Sequence, residues 1–234
     1  VCGYETIRQN HSLVQDERVK LLNLTDNPIN LEMEEAFSKV KSGFNISFVM
    51  NEDKKIEAIF AGHPIQSFKV GVKYLIDHKS VNINKHFDVV ITSPGGEPKD
   101  KTIYHSQKCL NNVVNLVKKE GTIVVFSACK EGIGSESMEK YLGETSDINS
   151  LLTMPPEEIT VGGHRAVATA QILKKAEVIF ITELEKNYIE SLHFSWQKEW
   201  DECLVYLKQK HGYAFKAAVI PNGNFFVGKT ADLL

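Results

Sequence analysis

The sequence predicts an α/β protein, a mainly parallel doubly wound sheet domain preceded by the remnant of a second α/β domain that contains a β-hairpin. Three observations carry this expectation. From residue 87 to 220, short apolar runs alternate with segments of helical periodicity, the pattern of strands joined by crossover helices. The run at 87–92 is continuously apolar and β-branched, as in strands covered on both faces. Earlier, residues 45–50 and 56–61 are strand-like and separated only by polar Asn51-Glu52-Asp53-Lys54-Lys55, which reads as a hairpin.

The elements follow in order. Val1 is not an initiator methionine, and residues 2–11 have neither tag nor signal character, so the chain reads as the later part of something longer. Asn27-Pro28 opens a helix with a cap and a first-turn proline; Leu31, Phe37 and Val40 mark its core side and Gly43 closes it. After the hairpin, Gly62-His63-Pro64 breaks the strand and a helix is expected over 66–77. A domain boundary falls near here, giving 1–66 as the end of an amino-terminal domain and 67–234 as the carboxyl-terminal α/β domain. Beyond it the sequence predicts strand 87–92, helix 101–119, strand 122–128, mostly helix over 135–153, helix 164–175, strand 177–182, helix 194–211 and strand 216–220. Ligands of such a sheet collect at the carboxyl ends of its strands, here loops 93–99, 127–134, 182–186 and 221–224.

Composition excludes several classes. The chain has 234 residues, 42% hydrophobic, with a net charge of −3, so no global charge calls for nucleic acid or a membrane surface. No apolar run spans a bilayer. Cys2, Cys109, Cys129 and Cys203 lack CxxC spacing, which points to reduced thiols in a cytoplasmic chain, with Cys129 a small buried residue. There is no GxGxxG after the first strand of the large sheet and no P-loop.

Residues 87–110 carry the strongest site signal. The predicted strand ends in Ser93-Pro94-Gly95-Gly96-Glu97-Pro98, where Ser93, Gly95 and Gly96 could present backbone N–H groups to an anion or simply make a tight turn. On the following helix Ile103, Leu110, Val114 and Val117 form one stripe, and Tyr104, His105 and Lys108 lie off it. Lys99, Lys101 and Lys108 crowd a helix start, where the dipole disfavours positive charge. From these residues alone a solvated face and a carboxylate or phosphate site are equally supported. His164-Arg165, after Gly162-Gly163, could present a cation at a helix start, with a simple cap the better reading, and Trp196 and Trp200 read as packing residues four apart on one helix.

Short motifs in order resemble the nickel-dependent lactate racemase family: Glu5-Thr6-Ile7 with Asn10-His11, Asn27-Pro28 with Met33-Glu34-Glu35, Phe60-Ala61-Gly62, Asp88-Val89-Val90-Ile91, Ser93-x-Gly95-Gly96-x-Pro98-x-Asp100, Tyr104, and Gly163-His164-Arg165-Ala166. The resemblance is to the carboxyl-terminal portion of that family. It implies a racemase or epimerase of small 2-hydroxy acids that uses a nickel pincer nucleotide. It gives His11 as the nickel ligand, and Tyr104, His105 and Lys108 as substrate-facing residues. The tethering lysine, the proton-exchanging histidines and the carboxylate-holding arginine of the family would all fall before Val1. No catalytic residue is thus expected in this chain, the cofactor may be absent from it, and it should be inactive without the missing amino-terminal domain. The family has glutamine where His105 stands, which puts lactate in doubt and admits a larger or more acidic 2-hydroxy acid, or a sugar acid. The alternative is a non-catalytic α/β ligand-binding or interaction module that has lost the cofactor.

Overall fold

The structure is a computed structural model that describes residues 2–40, 43–51, 53 and 55–230. Helix α1 (Tyr4–Ser12) runs into a 3-10 turn at Leu13–Gln15 and is followed by α2 (Pro28–Ser38). Asn27 caps α2, its side chain accepting the Ile29 N–H at 3.0 Å, and Pro28 occupies the first turn, where no amide is needed. Strands β1 (Asn45–Met50) and β2 (Ile56–Gly62) form the expected antiparallel hairpin; Glu52 and Lys54 of its loop lie outside the described residues. Helix α3 (Pro64–Lys79) starts at its proline, extends beyond 66–77 at both ends and packs on the hairpin. Gly71 permits that approach, since a Cβ there would come within 3.2 Å of the Phe60 ring.

Strand β3 (Ser80–Ile83) leads into the main domain: β4 (Phe87–Thr92), α4 (Ile103–Val113), β5 (Val117–Phe126), α5 (Glu136–Glu144), α6 (Gly163–Lys175), β6 (Glu177–Ile181), α7 (Lys186–Ser191), β7 (Ser195–Gln197), α8 (Trp200–His211), β8 (Ala217–Ile220) and β9 (Val227–Thr230). β9 returns to pair in parallel with β3. The large sheet has the order β7-β6-β5-β4-β8 and every pairing in it is parallel.

Alternation along the strands fills both faces. Val90, Ile123, Val125, Val178 and Phe180 pack with Ile103, Leu110 and Val113 of α4, Met138 and Leu142 of α5, and Ala166 and Ala170 of α6. Their neighbours Val89, Val124 and Ile179 pack with Cys203 and Leu207 of α8 on the opposite face. A doubly wound parallel sheet is therefore present, with a separate hairpin unit before it. Among the described residues no helix is long and apolar enough to cross a membrane.

Two elements differ from expectation. The helix expected over 101–119 ends at Val113, and after a 3-10 turn β5 begins at Val117. Val113, Val114 and Val117 satisfy a helical spacing but are β-branched, and the sheet wins: Val117 is fully buried opposite Phe87, and Lys118 reaches back to Asp88 at 2.6 Å. The helix expected over 194–211 is split into edge strand β7 and α8. Trp196 therefore lies on the strand, its Nε1–H donating to the Leu184 carbonyl at 2.9 Å, while Trp200 begins α8 and leans on Phe126.

Candidate anion-binding cleft at the switch point

Strand order reverses at β4, which has β5 on one side and β8, the last strand added, on the other. The crevice of such a sheet opens at the carboxyl end of that strand. Two loops meet there. The one leaving β4 turns through Gly95 (φ 98°) and Gly96 (φ 74°), and the Gly95 N–H donates to Ser93 Oγ at 3.1 Å. A Cβ on Gly95 would stand 2.5 Å from Asn222 Oδ1. Ser93, Gly95 and Gly96 thus make a tight turn whose Gly95 amide is already engaged, and which lets the loop after β8 come close. That second loop is pinned by Gly223, whose N–H donates to the Ser93 carbonyl at 2.8 Å, and by Asn112 Nδ2, which donates to the Gly223 carbonyl at 2.9 Å.

Helix α4 starts immediately beyond. Thr102 Oγ1 accepts the His105 N–H at 3.1 Å, and a 2.7 Å contact with His105 Nδ1 ties the imidazole to the same cap. Tyr104 is half-buried against the core, and His105 and Lys108 are exposed. All three line one cleft of about 280 Å³. Its other walls come from Lys99, whose Nζ sits 3.8 Å over the Phe225 ring, from Asn224, and from Arg165 of α6. The Arg165 guanidinium lies 4.3 Å over the Tyr104 ring and donates from Nη1 to Gln107 Oε1 at 2.9 Å, while its buried Nε has no hydrogen-bond partner among the described residues. Lys108 also borders a larger groove of about 500 Å³ between α4, α6 and the segment after α1.

His11 reaches the same region from α1. Its ring stands edge-on to His164, next to Arg165 on α6, with centroids 4.6 Å apart. His164 Nδ1 accepts the Gly162 N–H at 3.2 Å. Burial, reinforced by His11 and Arg165, holds the His164 imidazole down to about 4, so it stays neutral near pH 7. His11 Nδ1 is buried and has no hydrogen-bond partner among the described residues, an orphaned nitrogen of the kind a metal would satisfy. Among the described residues no group of three or more His, Cys, Asp or Glu could hold an ion, so His11 could contribute only one ligand.

Sequence reading located Tyr104, His105 and Lys108, and the structure gathers them in one cleft. It did not single out Asn224 or Phe225, and it saw Lys99 only as a misplaced charge. His164 and Arg165 do not cap α6, because Gly162 is the N-cap at φ 94° and no side chain caps it. The cation that the sequence offered at this helix start is Arg165, which lines the cleft. Cys129 is buried, and burial pushes its thiol up, as expected of a packing residue.

The family model described as the lactate racemase C-terminal domain matches residues 82–227. The chain belongs to that family. Over 230 residues it is 30% identical to a lactate racemase of Lactiplantibacillus plantarum and 27% identical to one of Thermoanaerobacterium thermosaccharolyticum, covering in each case 95% of this chain and 54% of the relative. The structure matches that of the lactate racemase apoprotein from Thermoanaerobacterium thermosaccharolyticum with a TM-score of 0.89, at 28% identity over 95% of this chain and 55% of that one. A Thermotoga maritima protein, 14% identical with a TM-score of 0.62, shares the fold. The chain thus spans about half the length of the lactate racemases it matches, and its lactate racemase C-terminal domain supplies every wall of the cationic cleft.

Proposed function

We propose that the chain is the carboxyl-terminal portion of a 2-hydroxy acid racemase or epimerase that works with a nickel pincer nucleotide. In this reading 1–66 end an amino-terminal, cofactor-tethering domain and 67–234 form the carboxyl-terminal domain. The observation that carries it is the gathering of Tyr104, His105 and Lys108 with Lys99 and Arg165 in one cleft at the switch point. The 30% identity to a lactate racemase supports the reaction class.

A 2-hydroxy acid offers a carboxylate, a hydroxyl and a weakly acidic C–H bond. Lys108 is the mobile cation for the carboxylate, and the Tyr104 ring, stiffened by Arg165, is the wall against which the carbon chain lies. His105, held by Thr102, offers the hydroxyl a directional donor or acceptor and substitutes a titratable ring for the family's amide. When bound, the nucleotide would supply the hydride acceptor that lets the C–H bond break reversibly. His11 would hold its metal through the orphaned nitrogen, with neutral His164 packed behind to fix the ring.

The hairpin supports a larger protein. Ile46, Phe48, Met50, Ile56 and Ile59 are each more than half exposed, and β1 and β2 form a sheet of only two strands. An amino-terminal domain would cover this face and bring the proton-transferring residues that the chain lacks, so the chain alone is catalytically incompetent.

The test is racemisation of lactate and longer 2-hydroxy acids by the protein encoded with its upstream sequence. We expect turnover there and none from the 234-residue chain. Lys108→Ala should lower kcat/KM at least tenfold, about 1.4 kcal/mol, with a melting temperature close to wild type because its side chain is exposed. Full turnover in the Lys108→Ala protein would refute the assigned role.

A further inference from the structure

The first turn of α4 keeps no amide for a ligand. Residues 100–104 are clamped along the loop after β5: the Cys129 N–H donates to the Asp100 carbonyl at 2.8 Å and the Glu131 N–H to the Lys101 carbonyl at 2.9 Å. In return the Ile103 and Tyr104 N–H groups donate to the Gly132 and Ile133 carbonyls at 3.0 and 2.9 Å. The His105 N–H goes to Thr102 Oγ1. The amides of the first three helical residues, which a helix start ordinarily leaves open to an anion, are thus engaged inside the protein. What α4 offers the cleft at this end, it offers through side chains.

Thr102 is the pivot of the clamp. It is 3% exposed, and a Cβ on Gly134 (φ 78°) would stand 2.6 Å from its Oγ1, so the end of the loop lies directly against the hydroxyl. A hydroxyl has one proton to give and two positions that accept. One of these takes the His105 N–H at 3.1 Å, and the other neighbour of Oγ1 among the described residues is His105 Nδ1 at 2.7 Å. A hydrogen on Nδ1 would leave the proton of this buried hydroxyl with no acceptor, the unfavourable case for a donor shut off from water. Both groups are satisfied when Thr102 Oγ1–H donates to a bare Nδ1, and a neutral ring then carries its hydrogen on Nε2. Nε2 is on the ring edge turned away from Thr102, and the exposed ring lines the cleft.

We propose that Thr102 is a positioning residue that holds His105 as its Nε2–H tautomer, so that His105 is a fixed hydrogen-bond donor to an oxygen of the bound ligand and not a base in the reaction. An Nε2 that already bears hydrogen has no lone pair for the proton of a substrate hydroxyl, and that proton leaves to a group outside α4. The inference deepens the functional reading above and rests on it only for the ligand being a hydroxy acid; the tautomer rests on the hydrogen bonds alone.

Heteronuclear NMR of the imidazole nitrogens in the 234-residue chain tests it, at about pH 8.5, where an imidazole is ordinarily neutral. The His105 signals are assigned by their loss in His105→Gln. We expect one species in the wild type and in Thr102→Ser, protonated at Nε2 and bare at Nδ1. Thr102→Asp keeps a good helix cap but brings an acceptor with no proton to give, and should turn the ring to its Nδ1–H form. A wild-type ring protonated at Nδ1, or a tautomer that Thr102→Asp leaves unchanged, would overturn the proposal. In the longer protein Thr102→Asp should lower kcat/KM at least about tenfold, the scale of one directed hydrogen bond, and Thr102→Ser should restore most of the loss. Undiminished turnover in a Thr102→Asp protein whose ring has inverted would overturn the donor role. If the spectra come out as expected while the longer protein racemises no hydroxy acid, the tautomer is upheld and the functional reading fails.

Discussion

Gly95 is held by two independent constraints: its φ of 98° is one that side chains rarely adopt, and a Cβ would meet Asn222 Oδ1 at 2.5 Å. Both act at the point where the loops after β4 and β8 close on each other. Gly95→Ala should therefore cost about 1–3 kcal/mol, read as a fall in melting temperature of roughly 2–4 °C per kcal/mol for a chain of this size. The same substitution at Gly143, a helical position with no atom within 4 Å of an added Cβ, should leave the melting temperature unchanged or raised. At this scale the sequence was informative wherever local chemistry decides. The double glycine announced a turn, and the off-stripe positions of Tyr104, His105 and Lys108 announced a common face. It offered Arg165 as a cation at a helix start but did not join it to the cleft, because only tertiary packing carries α6 to the Tyr104 ring.

At the scale of elements, Glu177 at the start of β6 ties three pieces together. It accepts from Ser195 of β7 at 2.6 Å and from Tyr206 and Lys210 of α8 at 3.0 and 2.7 Å. Burial alone would raise its pKa, but these donors outweigh it and hold the carboxyl below the usual range. Asp88 behaves similarly through the Lys118 ammonium and the Lys216 N–H. A carboxyl with a depressed folded-state pKa contributes stability that is present above its unfolded value near 4.5 and is lost as pH falls through the folded value. The melting temperature should accordingly be flat from pH 7 to about 5 and drop below about 4.5, and Glu177→Gln should lower the plateau and shallow that drop. An acid limb identical in the two proteins would show that the network contributes nothing. The two misplaced boundaries also belong here. Val114 and Val117 fit a helical and a strand period equally, and Ser195–Gln197 is too short for periodicity to separate from the helix that follows. Edge pairing with β6, a long-range fact, decides the second.

At the scale of the molecule, the alternation of apolar runs and helical segments was enough to foresee a doubly wound parallel sheet, and the candidate cleft opens at the switch point of that sheet. The small sheet of β3 and β9 was not foreseen, because it joins segments that lie at opposite ends of the domain. The exposed apolar face of the hairpin and a length about half that of the matched lactate racemases make the same point about organisation. In the proposed reading the cleft is one wall of a site completed by an amino-terminal domain, and His11, beside His164, stands at its edge. The most direct measurement of this account is the nickel content of the longer protein, produced together with the enzymes that build the pincer nucleotide, in wild-type and His11→Ala forms. The account predicts close to one nickel per wild-type chain and a loss of most of it in His11→Ala at equal folded yield. A protein that stays free of nickel, or whose nickel is unchanged by His11→Ala, would contradict it.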